Sequence, residues 1–328
     1  MRSGKRMAFV ILGFGLFLTL PAREAAVHGQ QGGGGQMEVW APLPEKESPF
    51  VPPHQPLTKI AALLARHRGQ QNWTETIVND SLFRGDYIAM APGTKTPRRF
   101  HQDNRAFWIV QDGQIRFTIE GQEPFVASKG FLVQVPKRLV YSMETIGEQP
   151  SLRFEVTMAN SHTMYPIDET PTPMPGVKFE KASVASAKGA YDDANVPFID
   201  YNQTIAGHPK PKKNPSQFVG DAHEGGYVNV GIANIIRGDP ATQPAAREDD
   251  LGHFHLTGPE FWFVLEGRME FKIGSVPIFV ADQGDIAYAP AQTWHRVRFA
   301  GAGMATRLAI VGYANSHVFQ ASGDRSRP

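Results

Sequence analysis

"FWFVLEGRMEFKIGSVPIFVADQGDIAYAP", residues Phe261 to Pro290, has a twin earlier in the same chain. "FWIVQDGQIRFTIEGQEPFVASKGFLVQVP", residues Phe107 to Pro136, lies over it without a gap, every position offset by 154. Phe107/Phe261, Trp108/Trp262, Gly113/Gly267, Phe125/Phe279, Val126/Val280, Gly130/Gly284 and Pro136/Pro290 are identical pairs. Both copies are short runs rich in Val, Ile, Phe, Tyr and Trp, punctuated by Gly, Pro and Asp, the texture of an all-β sandwich or barrel. So many matches at one offset mean two copies of one β module, with the glycines and the proline at equivalent turns.

The rest of the chain frames these modules. Its 328 residues, 41% hydrophobic and 20% charged, suit one large or two ordinary globular domains. The first residues, "MRSGKRMAFVILGFGLFLTLPAREAAVHGQ", read as a secretory signal peptide. Arg2, Lys5 and Arg6 form its basic region, Met7 to Leu20 its apolar region, and Pro21 ends it. The apolar run is short for a bilayer-spanning helix, so a periplasmic or secreted protein is expected, with an uncleaved N-terminal anchor as the competing reading. The chain has no cysteine, which rules out lipid attachment through one and any disulfide, so the fold must stand on its own core. Net charge is +1, and cleavage after Gly29 removes four basic residues and one acidic one, leaving about −2. Nucleic acid is therefore not an expected partner, and "HPKPKKN" (His208 to Asn214) reads as a solvated loop.

"GQQGGGGQ" after the leader is a flexible tether, and "LTKIAALLARHR", Leu57 to Arg68, places Ile60, Leu63 and Leu64 on one helical face. The predicted organisation is a signal peptide over 1–29, an N-terminal arm and helix over 30–80, a first β module over 81–160, a linker over 161–215 and a second β module over 216–318.

Chemistry concentrates just before the second copy, in "GHFHLTGPEF". Residues two apart on a strand share a face, so His253 and His255 can both face a barrel interior. Glu260 follows the turn residues Thr257-Gly258-Pro259 and can begin the neighbouring strand, pointing back at the two imidazoles. A third histidine should come from a later strand, and His295, five residues after Pro290, is in place. Three imidazole nitrogens and one carboxylate oxygen suit a first-row divalent metal.

These elements resemble the two cupin motifs. The first is HxH, three or four residues, Glu, six residues, Gly, matched by His253, His255, Glu260 and Gly267. The second is Gly, five residues, Pro-x-Gly, two residues, His, matched by Gly284, Pro290 and His295. Gln292 stands where that motif has glycine, Phe299 where asparagine is usual, and Arg247 where a glycine commonly precedes the first motif. The turn before His295 is therefore expected to differ. The resemblance covers both modules and implies a bicupin, two tandem jelly-roll barrels, with one divalent transition metal per chain (Fe, Mn, Cu, Ni or Zn) in the C-terminal module. It also implies that the N-terminal segment packs against a neighbouring subunit in a homodimer.

The repeat supplies an internal control. Subtracting the offset from the four ligands gives Arg99, His101, Ala106 and Tyr141, so the N-terminal module is expected to bind no metal in that manner. His101 reads as a hydrogen-bonded interior histidine. Arg98, Arg99, Arg105 and Tyr141 could line an anion pocket, although a filled barrel is the plainer expectation. Trp262 and Trp294 flank ligands and could stack on a substrate, but aromatics in β modules are more often core, and Trp108, in the module without ligands, favours a structural role for its twin Trp262. His162, His208, His223 and His317 lack ligand spacing and read as surface residues. Asp249 and Asp250 read as a solvated loop, with orientation of a ligand imidazole as the alternative. Arg237 is a candidate to hold a substrate carboxylate near the barrel mouth.

Three function classes follow. The first is an exported metal-dependent oxidoreductase or lyase, a dioxygenase or decarboxylase of a small phenol or carboxylic acid, with the metal centre as the catalytic group. The second is a sugar isomerase or epimerase, and the third a non-catalytic metal- or ligand-binding cupin. Fold and ligand set do not choose among them.

Overall fold

The computed structural model describes residues 37–191, 196–203, 232–247, 249–311 and 317–321; the leader and its cleavage point lie outside them. Twenty-one strands and little helix build two β modules, as the all-β reading expects.

The N-terminal arm contributes β1 (Leu57–Thr58) and the helix α1 (Ile60–Arg66). Helix was expected from Leu57, but Leu57 and Thr58 instead pair antiparallel with Ala287 and Ile286 of the C-terminal module. The helix starts where Asp285 accepts the Ile60 N–H at 2.9 Å, a cap supplied from the far end of the chain. Leu63 is fully buried and Ile60 packs on the core, but Leu64, expected on the same face, is 46% exposed. A seven-residue helix turns too little surface inward for all three.

The first module runs through β2 (Trp73–Asn79), β3 (Phe83–Met90), β4 (Phe100–His101), β5 (Ala106–Asp112), β6 (Gln114–Ile119), β7 (Phe125–Ser128), β8 (Phe131–Val135), β9 (Tyr141–Ile146), β10 (Ser151–Met158), β11 (Thr163–Met164) and β12 (Phe198–Asp200). One sheet has the order β12-β8-β5-β10-β3-β2 and the facing sheet the order β7-β6-β9. β2 comes from the expected arm and β12 from the expected linker, so the module recruits both flanks.

The second module comprises β13 (Ile232–Gly238), β14 (His253–His255), β15 (Glu260–Glu266), β16 (Arg268–Ile273), β17 (Phe279–Asp282), β18 (Ile286–Ala289), β19 (His295–Ala300), β20 (Ala305–Val311) and β21 (His317–Phe319). Its sheets are ordered β1-β18-β15-β20-β13 and β17-β16-β19-β14-β21. Among the described residues the two sheets of a module share no continuous ladder, so each is a two-sheet jelly-roll sandwich rather than a closed barrel.

Strand composition explains which sheet sits where. β5 and β15 are unbroken apolar runs, "AFWIV" and "FWFVL", because both of their faces are buried. Trp262 and Val264 point into their own sandwich with Phe271 and Met269, while Phe261, Phe263 and Leu265 point out to meet Phe83, Tyr87, Phe107 and Phe154 of the other module. β6 and β16 instead alternate, exposed Gln114 and Arg268 leading inward-facing Ile115 and Met269, because their outer face meets solvent. The two modules are thus welded through a shared core, each large side chain buried there contributing roughly 1.5–3 kcal/mol.

Candidate metal centre

The turn from β14 to β15 and the pairing of β14 with β19 assemble the four expected ligands. His253 pairs directly with His295 across β14 and β19, and Glu260 opens β15. Gly252, at φ 77°, lets the chain enter β14 under the His295 carbonyl; a Cβ there would lie 2.1 Å from that oxygen.

The donor atoms of His253, His255, Glu260 and His295 all lie within 4.8 Å of one another. Glu260 Oε2 is the focus: His255 Nε2 is 2.7 Å away, His295 Nε2 3.0 Å and His253 Nε2 3.6 Å. Atoms bound at about 2.1 Å to a common ion sit about 3 Å apart, so the spacing fits a metal. His295 Nδ1 donates to the Thr293 carbonyl at 2.9 Å, which leaves its Nε2 lone pair facing the Glu260 carboxylate. Two electron-rich atoms at that distance repel unless a cation lies between them, so the donor chemistry fits as well. Burial, with His295 adding to it, pushes His253 down to about 3, so that ring is neutral and able to coordinate.

A model of the cupin domain matches residues 86–157 and again residues 243–311. The chain belongs to the cupin superfamily. It is a bicupin, and the intact ligand set lies in the second matched segment. By sequence, no curated protein matches it. By structure it is similar to the salicylate 1,2-dioxygenase of Pseudaminobacter salicylatoxidans, with a TM-score of 0.55 and 12% identity over 77% of this chain and 83% of that one. A structure of that enzyme as its adduct with gentisate matches with a TM-score of 0.53 and 13% identity, over 77% of this chain and 80% of that one. Likeness at this identity is likeness of fold.

Gln292 stands in the turn before His295. Gln292 adopts φ 59°, the left-handed conformation that a glycine would take freely, and its N–H donates to the His255 carbonyl at 2.8 Å. Arg138, at the repeat-equivalent position, has φ 63° and donates to the His101 carbonyl at 2.7 Å. The two modules thus make the same turn with a non-glycine residue at this position.

Other expectations need correction. Arg237 does not face the ligands. It shares a face with its register partner Thr306, and its Nε pairs with Glu266 at 3.3 Å beside the Tyr201 hydroxyl, at the boundary between the modules. The interior cation is Arg307, one residue beyond Thr306 and opposite inward-facing Ile236. Burial pushes Arg307 down to about 10, while the Glu260 carboxylate pulls the other way. His317, read as a surface residue, pairs with His255 through β21, and its ring lies 4.5 Å from that of His255 and 4.7 Å from that of His253. His162 is exposed as expected, and His208 and His223 lie outside the described residues. Asp249 pairs with Arg247, and Asp250 accepts the Gly252 N–H at 2.9 Å.

The N-terminal sandwich is filled. His101 is buried, with its Nε2 3.1 Å from the Tyr141 hydroxyl and its Nδ1 3.1 Å from Ser161 Oγ. The anion-pocket residues are not brought together: Arg98 pairs with Asp168 and Glu169 at the surface, and Arg105 bonds Gln134 and the Ala190 carbonyl. Only Arg99 and Tyr141 line the interior, with Arg153, and their anion is internal. Glu155 Oε2 lies 3.7 Å from Arg99 Nη2, 3.7 Å from Arg153 Nε and 2.5 Å from Trp108 Nε1.

Proposed function

We propose that this bicupin is a metal-dependent dioxygenase acting on a small oxygen-rich substrate, a phenol or a carboxylic acid, at one ion held by His253, His255, Glu260 and His295. The observation that carries the reading is the convergence of three imidazole nitrogens on one buried carboxylate oxygen, in a fold shared with salicylate 1,2-dioxygenase. The ligand set suits Fe, Mn, Cu, Ni and Zn alike; iron is the ion proposed because the proposed dioxygenase chemistry calls for a redox-active metal.

When bound, the ion supplies a Lewis-acid and redox centre with coordination positions left over for substrate and dioxygen. The chain's own groups prepare the place. Thr293 fixes the His295 tautomer, and Glu260 offsets part of the ion's charge. Trp262, Phe271 and Phe299 close the interior around the ligands with apolar surface, which strengthens every electrostatic contact made there. Arg307 would add to the net positive charge that a divalent ion leaves beside Glu260, which favours an anionic substrate. His317 flanks the two histidines of β14, within reach of a group bound beside them.

The leader suits an exported protein, and among the described residues no helix is long and apolar enough to cross a membrane. A homodimer is proposed on the family resemblance alone, and Leu57–Thr58 of the arm is already committed to its own chain.

The test is elemental analysis of protein purified through its native export route, followed by an oxygen electrode with catechols, salicylate and gentisate. Iron with substrate-dependent oxygen uptake supports the reading. Manganese with oxygen-independent carbon dioxide release would replace it with a decarboxylase, and metal without turnover would leave a carrier.

A further inference from the structure

The two sandwiches correspond strand for strand beyond the segment in which their sequences are visibly alike. On β10, Glu155 lies opposite Trp108 and Arg153 opposite Val110; on β20, Ala309 lies opposite Trp262 and Arg307 opposite Val264. These are the same register positions at the same offset, and both ladders carry an irregularity at the same end. The indoles are seated alike as well. Trp108 lies 5.1 Å from the ring of Tyr141 and 5.7 Å from Phe117, and Trp262 lies 5.1 Å from His295 and 5.3 Å from Phe271, their repeat equivalents.

One difference breaks the correspondence. In the N-terminal sandwich the Glu155 carboxylate receives the Trp108 N–H and lies against Arg153 and Arg99. In the C-terminal sandwich Ala309 stands in its place. The Trp262 N–H, whose equivalent donates to Glu155, is buried with no hydrogen-bond partner, and the Arg307 Nε–H is unpartnered as that of Arg153 is, but without the carboxylate that balances Arg153 at 3.7 Å. Buried donors without partners are costly and uncommon. Here there are two, from one indole and one guanidinium, around a position where a carboxylate has been replaced by a methyl group. Arg99, the third neighbour of Glu155, has His253 as its equivalent, so the vacated position borders the ligand cluster.

We infer that Arg307 and the indole N–H of Trp262 form a binding site for a substrate carboxylate beside the metal centre, and that Glu155 is the built-in counterpart of that ligand. The N-terminal sandwich carries its own carboxylate; the C-terminal one takes it from solution. A carboxylate is the group that answers both donors, since its oxygens accept from a guanidinium and from an indole N–H together. The inference rests on the metal-centre reading and narrows it, from a phenol or an acid to a substrate that bears a carboxylate.

The experiment is calorimetric titration of the purified, metal-assayed protein with acetate, benzoate and salicylate, each beside its neutral amide: acetamide, benzamide and salicylamide. At least one acid should bind about tenfold or more tighter than its amide, the margin of one charge-assisted hydrogen bond. Arg307→Leu should erase that margin. Ala309→Glu should do the same by supplying the carboxylate from the chain, and should leave metal content unchanged. Where either variant fails to fold, Trp262→Phe removes little more than the donor and should weaken the acid severalfold while sparing the amide. Acid and amide binding alike, no binding of any acid, or folded Arg307→Leu and Ala309→Glu proteins that bind acids as the wild type does would overturn the inference. Metal content separates the two readings. Acid selectivity in a protein that takes up no metal sinks the metal centre and keeps the carboxylate site; a loaded protein without selectivity does the reverse.

Discussion

The two halves of this bicupin share turns, registers and aromatic seats, and differ in what occupies the middle. In the C-terminal half His253, His255, Glu260 and His295 converge; in the N-terminal half Arg99, His101, Ala106 and Tyr141 stand at those positions. In the N-terminal interior a hydroxyl pairs with an imidazole, and one carboxylate takes the Trp108 N–H and balances two guanidinium groups. The C-terminal interior, with Ala309 in place of Glu155, gathers a ligand set and leaves the Trp262 N–H and the Arg307 Nε–H without that carboxylate. One scaffold therefore serves as a closed core on one side and an incomplete, ligand-seeking core on the other. Comparable polar content yields stability where it is paired and a binding site where it is not.

The comparison breaks most readily at the ligands. Glu260→Ala should strip the metal, abolish metal-dependent activity and lower the melting temperature by the lost binding free energy, about 4 kcal/mol if the ion is normally present at a thousand times its dissociation constant. Elemental analysis and calorimetry check this, and full metal retention would mean that Glu260 is not a ligand.

Glu155→Ala is the matched change in the other half. It leaves Arg99 and Arg153 buried around an unbalanced charge, so urea unfolding should show a loss of about 3–5 kcal/mol, while metal content in the folded fraction stays constant. Metal loss in step with stability would mean that the halves are not chemically separate.

His101 sharpens the contrast through pH. Burial lowers it from its ordinary 6.5 to about 4, so the unfolded state takes up a proton before the native state does. Its contribution is fully present above about 6.5 and is lost as pH falls toward 4, on the order of 3 kcal/mol in all. His101→Gln should flatten stability against pH over that window relative to the wild type; parallel curves would count against a neutral buried imidazole.

The smallest effect is at the shared turn. Gln292→Gly relieves a left-handed backbone and should stabilise by roughly 0.5–1 kcal/mol, less than the full left-handed penalty because glycine also loses more freedom on folding. A destabilised Gln292→Gly protein would show that the side chain contributes more than the backbone strain costs.

How much of this the sequence reveals depends on the physics of each part. The repeat and its turns are legible because Gly113 and Gly267 share a left-handed φ where a Cβ would strike the neighbouring backbone, which leaves the same residue in both copies. The four ligands are legible because strand parity and a tight turn fix His253, His255 and Glu260 relative to each other over a few residues. His317 is not. It reaches the site only because β21 happens to pair with β14, and no local spacing encodes that. Arg307 is hidden differently. Its twin Arg153 marks it at the common offset, but Leu152/Thr306 and Glu155/Ala309 have diverged around it, and divergence at Ala309 is the change that matters. Arg237 misleads because a strand residue one position off its interior neighbour faces the other way. The start of α1 was misplaced because Leu57–Thr58 answers to a strand edge more than two hundred residues later, where tertiary pairing overrides helical periodicity.

The central claim is one metal centre in one half. Anomalous diffraction from crystals of the metal-loaded protein, recorded at the absorption edge of the metal found, tests it most directly. A single peak per chain is expected, enclosed by His253, His255, Glu260 and His295, with nothing between Arg99, His101 and Tyr141. A peak in the N-terminal sandwich, or none at the C-terminal cluster, would contradict it.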